Sequence, residues 1–203
     1  MNVVQQSKTP ETGHADEKSE TRQALVDAAV RVFLKKGYGG TRVQDIAREA
    51  GFTSGALYVH FPSRSALLAE ALIDEGREVL GEMLGSIGRI VPEVQAIQQS
   101  MIDFSQGEPT NLDRLLVEAL VLSSRPGEGS GELDEVVDGV REGIRHLVVE
   151  AQSAGVLAEL DADALTQMFL TWTLGMTMCK MLGQNKQPAE AMMAVYDYVL
   201  RFE

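Results

Sequence analysis

Few side chains in this 203-residue chain are placed to do covalent chemistry. Its three histidines, His14, His60 and His146, lie far apart and lack the short spacings that bring metal ligands together. Cys179 is the only cysteine, which excludes an internal disulfide, and its apolar surroundings predict a buried, inert thiol. The acidic residues Glu132, Asp134, Glu135 and Asp138 read as a solvated helix face. No glycine-rich phosphate loop follows a strand. These residues predict neither an enzyme nor a need for a cofactor or metal. What does cluster is a set of hydroxyls and cations between positions 41 and 64. Thr41, Arg42, Thr53, Ser54, Tyr58, His60 and Arg64 surround the small residues Gly55 and Ala56. Such groups donate to phosphate oxygens, and small side chains let a backbone come close to base edges.

The elements that must position this cluster are helical. Leu25, Ala28, Ala29, Val32 and Phe33 recur at helical spacing from a start near Glu20, and Gly37, Gly39 and Gly40 stop the run. A second helix is predicted from Thr41, with Thr41 and Gln44 as a capping box and Val43, Ile46, Ala47 and Ala50 facing inward. Gly51–Thr53 forms the turn. Thr53 caps a short third helix to about His60, with Leu57 and Phe61 inward, and Pro62 breaks it. Ser63 caps a long fourth helix carrying Leu67, Leu68, Ala71 and Leu72. Further helices are expected near 92–106, 110–124, 132–154, 162–182 and 189–202, with no convincing strand. A capped helix, a Gly-bearing turn and a second short helix are the parts of a helix-turn-helix, whose second helix fits the major groove. The same parts also describe an ordinary helical corner.

A net charge of −12 argues against nucleic acid when taken whole. It is unevenly placed: residues 17–68 carry a net +3 and residues 69–203 a net −14. That is the pattern of a nucleic-acid-binding head on an acidic body. The first residues lack the apolar stretch of a signal peptide, and Met168–Leu182 is too short and too interrupted to span a bilayer. A soluble, cytoplasmic protein without membrane contact is expected.

The run AAVRVFLKKGYGGTRVQDIAREAGFTSGALYVHFPSRSALL resembles the DNA-binding domain of the TetR family of transcriptional regulators. The shared features are Ala28–Ala29–Phe33, Gly37–Tyr38, Thr41, Ile46–Ala47, Ala50–Gly51, Gly55–Leu57–Tyr58, His60–Phe61 and a basic Arg64. The likeness covers about 45 residues. Phe52 stands where a smaller aliphatic residue is usual, and Arg64 where Lys is usual. The resemblance implies that Thr41 and its helix N-terminus bind phosphate and that Arg42 reaches a phosphate or a base edge. It implies that Thr53, Ser54, Gly55 and Ala56 lie closest to the bases, while Tyr58, His60 and Arg64 clamp the backbone. Plainer roles exist for some: Thr41, Thr53 and Ser63 serve as caps in any case, Tyr58 can cover the core edge, and Arg48 and Lys35 read as solvated charges.

The resemblance implies an all-α architecture. A three-helix helix-turn-helix domain is joined by the long fourth helix to a C-terminal ligand-binding and dimerisation domain, about nine helices in all. The boundaries expected are a disordered tail over 1–18, a DNA-binding domain over 19–66 and the helical body over 67–203. The helix near 162–182 is apolar on nearly every side and so needs cover all round. The last two helices are expected to build a homodimer through Leu170, Leu174, Met178, Met181, Met193, Tyr196 and Leu200. Met101, Phe104, Leu116, Leu120, Met168 and Trp172 are candidates for lining a mainly apolar effector pocket, although residues of these types also fill ordinary cores. His146 is a possible polar group there, with a surface position favoured. The function expected is a ligand-responsive repressor that binds a palindromic operator as a dimer. The alternative is an all-helical small-molecule-binding or protein-interaction module without DNA binding.

Overall fold

A computed structural model describes residues 11–88, 106–125, 130–153 and 159–184, with the single positions 103, 155 and 157. Seven helices lie among them: α1 (Glu11–Gly40), α2 (Val43–Glu49), α3 (Ser54–His60), α4 (Arg64–Gly88), α5 (Asn111–Ser123), α6 (Ser130–Ser153) and α7 (Ala162–Met181). No strand occurs among the described residues, in agreement with the all-α reading. The expected helices near 92–106 and 189–202 lie almost wholly outside them.

The first helix begins earlier than its apolar pattern. Residues 11–18, assigned to a tail by their polarity, belong to α1. Their sequence carries no apolar period, but Glu11, Ala15, Glu17 and Lys18 are good helix formers, and carboxylates suit a helix N-terminus. The helical conformation is broken at Gly37, whose φ of 70° is open to glycine and costly for other residues. Tyr38, Gly39 and Gly40 then turn the chain toward α2.

The apolar faces pack as their spacing predicts. Leu25, Ala28, Ala29 and Phe33 of α1 meet Ile46 and Ala47 of α2, Leu57 of α3, Phe61, and Leu67, Leu68 and Ala71 of α4 in one cluster. Full burial of each Leu or Phe stabilises the fold by about 1.5–3 kcal/mol. The cluster continues without a break into Leu115, Ala119 and Leu122 of α5 and Leu133 of α6. The head therefore shares its core with the body. Arg22 ties α1 to α4, pairing with Glu70 at 2.6 Å while its guanidinium lies 5.0 Å from the Phe61 ring centre. The hydrogen bond from Arg22 holds the Glu70 carboxyl below its ordinary pKa despite partial burial.

Helices α6 and α7 pack against each other, and α5 bridges them to α1 and α4. Asp161 caps α7 by accepting from the Ala164 N–H at 2.7 Å, and Thr110 caps α5 by accepting from the Asp113 N–H at 3.2 Å. One cluster in the body was not visible in the sequence. The buried Lys180 ammonium donates to Asp113 Oδ2 at 2.7 Å, and the buried Thr177 hydroxyl donates to Oδ1 at 2.7 Å. The Thr110 N–H and hydroxyl complete the set, each at 2.9 Å from Oδ2. Burial alone would raise the Asp113 pKa, but the bonds from Lys180, Thr110 and Thr177 outweigh it and hold the carboxyl below its usual range. Thus the side of α7 buried within one chain is the polar one, Thr166, Thr177 and Lys180, whereas Met168 and Leu174 are 43% and 37% exposed. No described helix is long and apolar enough to cross a membrane.

Candidate nucleic-acid interface

Helix α3 stands outward on a platform of α1, α2 and α4. Its first turn is capped by Thr53, whose hydroxyl accepts from the Ala56 N–H at 3.2 Å, as its position before the helix predicts. Leu57 and Phe61 are buried and fix one side of the helix to the platform. The other side is open: Thr53 and Gly55 are exposed and Ser54 and Ala56 half-buried. Tyr58 is 56% exposed, which removes the reading of that ring as core cover. His60 is half-buried at the end of the helix. Arg42, Gln44 and Arg48 lie exposed on or beside α2.

Two members of the expected set sit differently. Thr41 was expected to cap α2 and bind phosphate. Its side chain is 0% exposed, and its hydroxyl donates to the Gly37 carbonyl at 2.7 Å. The cap position is taken by Arg42, whose N–H is accepted by the Asp45 carboxylate at 3.2 Å. The cap is therefore one-sided, the Asp45 carboxylate on the Arg42 N–H, one residue later than the expected Thr41–Gln44 box, because the left-handed turn at Gly37 draws Thr41 inward. Lys36 also reaches Asp45, at 3.0 Å; its hydrogen bond and that of the Arg42 N–H hold this carboxyl below its ordinary pKa. Arg64 is the second. Its Nη1 donates to the Thr41 carbonyl, and its guanidinium stacks 4.0 Å from the Tyr38 ring centre. Half-buried, it braces the turn before α2 from inside.

Between α3 and the start of α4 lies an open cleft of about 780 Å³, bordered by Tyr38, Arg42, Gln44, Ser54, Tyr58, Ser63, Arg64 and Glu132. Ser63 caps α4 by accepting from the Ala66 N–H at 2.8 Å, as expected, and donates to Glu132 Oε1 at 2.9 Å. A second carboxylate of the body, Glu118 on α5, accepts the Tyr38 N–H at 2.8 Å. Sequence reasoning missed both contacts, because nothing local links residues so far apart in the chain. It also passed over Val59, although a residue two places from the buried Leu57 must turn away from the core.

The body residues singled out by sequence are dispersed. Leu116 is half-buried against the core, Leu120 is exposed and Trp172 is half-buried. None borders the cleft or the smaller hollow of about 290 Å³ formed by Val149, Gln152, Ser153, Glu159 and Leu160. Leu170, Met178 and Met181 are half-buried. Met101, Phe104, Met193, Tyr196 and Leu200 lie outside the described residues. His146 is exposed, as favoured, with Nε2 3.8 Å from Glu150. Cys179 is half-buried rather than buried.

A short capped helix, held outward by two apolar anchors and preceded by a Gly turn and a second helix, defines a helix-turn-helix protein. Residues 25–71 match the family model described as bacterial regulatory proteins, tetR family. The matched segment runs from α1 into α4 and is similar to that family over the helix-turn-helix. The chain is 42% identical over 53 residues to the uncharacterized HTH-type transcriptional regulator YerO of Bacillus subtilis, covering 26% of this chain and 18% of YerO. It thus spans less than a fifth of that relative, and the likeness is confined to a short segment. Similarity to the HTH-type transcriptional repressor DhaR of Mycobacterium sp. extends over 191 residues at 25% identity, 88% of this chain and 91% of DhaR. Among solved structures, the transcriptional regulator FadR of Bacillus subtilis in complex with stearoyl-CoA shares the fold, with a TM-score of 0.65 at 20% identity over 88% of this chain and 97% of FadR.

Proposed function

We propose that this protein is a ligand-responsive repressor that binds a palindromic operator in the cytoplasm as a homodimer. One observation carries the reading. Helix α3 is fastened by Leu57 and Phe61 so that Thr53, Gly55 and Tyr58 face solvent, on a head whose net charge is positive in an otherwise acidic chain. The likeness to the repressor DhaR along most of both chains supports it.

In this reading the DNA-binding unit is 19–66 and the effector-binding and dimerising unit is 67–203. The two copies of α3 enter successive major grooves, about 34–36 Å apart. Thr53, Ser54, Gly55 and Ala56 approach the bases, Arg42 meets a phosphate or base edge, and Tyr58 and His60 hold phosphates. Arg64 contributes through the N–H groups left free of Thr41. The exposed Leu174, with Leu170, Met178 and Met181 alongside, supplies an apolar face on α7 for a second copy. The effector is a mainly apolar small molecule; the acyl chain of the stearoyl-CoA in the FadR complex is an apolar group of the type such a pocket would take. It releases DNA by favouring a different separation of the heads, transmitted along α4, with a coupling of about 1–3 kcal/mol.

The test is binding to duplexes tiled across the protein's own upstream region, at rising salt. One tile is expected to bind, with log affinity falling by about 0.9 per log unit of salt for each phosphate neutralised. Absence of binding on every tile, or a flat salt response, overturns the reading in favour of a helical module that does not bind DNA.

A further inference from the structure

Helix α3, SGALYVH, contains no Asn, Gln, Arg, Lys, Asp or Glu, so it offers none of the two-pronged hydrogen bonds that usually identify a base in the major groove. The side it turns outward carries the Ser54 and Tyr58 hydroxyls, the small Gly55 and Ala56, and the apolar Val59. Val59 follows Gly55 by four residues and Ala56 by three, and therefore continues their face. It is 73% exposed, more than any other large hydrophobic side chain among the described residues. One exposed valine elsewhere on a surface would need no explanation. Here it projects from the helix offered to DNA, beside a glycine and an alanine that let the helix sink deeply into the groove.

The major groove carries one apolar group, the 5-methyl of thymine. We propose that Val59 reads thymine, its isopropyl group packing on that methyl in each half-site. The inference rests on the DNA-binding reading above and names the chemistry by which that site selects its sequence. The contact discriminates by shape and by removal of apolar surface from water, so it is insensitive to salt, unlike a phosphate contact of Arg42.

The experiment uses full-length protein and duplexes that it enriches from a random-sequence pool. Each thymine of the enriched site is replaced in turn by deoxyuridine, which keeps every hydrogen-bonding group and removes only the methyl. At one symmetry-related pair of thymines the exchange is expected to weaken binding about fourfold, the value of one buried methyl. In Val59→Ala, whose folding is checked by circular dichroism, binding should no longer respond to the exchange at that pair, while phosphate-directed salt dependence stays unchanged. Indifference to deoxyuridine at every thymine, or an equal penalty in both proteins, overturns the assignment of Val59 and leaves DNA binding intact. Failure to enrich any duplex removes the DNA-binding reading, and this inference with it.

Discussion

Arg64 shows how a cation can serve the head without primarily touching a ligand. Its guanidinium bonds the Thr41 carbonyl while standing over the Tyr38 ring, and a lysine, without the planar fork, does not do both at once. Arg64→Lys is expected to lower head stability by about 1 kcal/mol, read by thermal unfolding, and to leave the salt slope of DNA binding nearly unchanged. Tyr58, exposed beside the cleft, behaves oppositely. Tyr58→Phe should fold normally and lose about 1 kcal/mol of duplex affinity, equally across sequences, in a titration at fixed salt. At this scale the sequence was readable wherever a residue's role follows from its neighbours. Leu57, Phe61, Thr53 and Ser63 sit where helical spacing and capping put them. Thr41 did not, because two capping pairs of the same spacing compete there. The choice of Arg42 with Asp45 depends on the direction in which the chain leaves Gly37.

That departure governs the joint between α1 and α2. At Gly37 the backbone is left-handed, and a side-chain carbon there would come within 3.1 Å of Glu118 Oε1, the residue whose other oxygen receives the Tyr38 N–H. Gly37→Ala therefore meets both a disfavoured conformation and a crowded carboxylate, and is expected to cost about 1–3 kcal/mol of stability in urea unfolding. The same substitution at Gly39, with open space around it and no left-handed backbone, serves as the control and should be near neutral. Helix ends were legible because glycine, proline and capping hydroxyls mark them chemically. The start of α1 was not, because its polar residues carry no apolar period to read.

Long-range partners are the least legible, and they hold the molecule together. Asp113 and Lys180 stand 67 positions apart and meet only once α5 and α7 have packed. Their pairing has a consequence for acid stability. The Asp113 pKa is depressed in the folded state, so its contribution is fully present above the ordinary carboxylate value of about 3.9. It fades as pH falls through the lower folded value. Asp113→Asn should flatten the loss of stability on acidification, measured by urea unfolding at a series of pH values; an unchanged acid limb would refute the assignment. Asp113→Ala, which strands a buried ammonium, should cost about 3–5 kcal/mol at neutral pH.

If the proposed DNA-binding function holds, the position of Glu132 bears on how a duplex can arrive. Its carboxylate stands on the body's side of the cleft next to α3, in front of a segment whose net charge is −14. A polyanion that leans toward the body meets a negative fence, while one lying squarely across the head does not. Misaligned encounters are thus shed early. The acidity that first argued against nucleic acid becomes a filter on the angle of approach, strongest in dilute buffer and blurred as added ions shorten its reach.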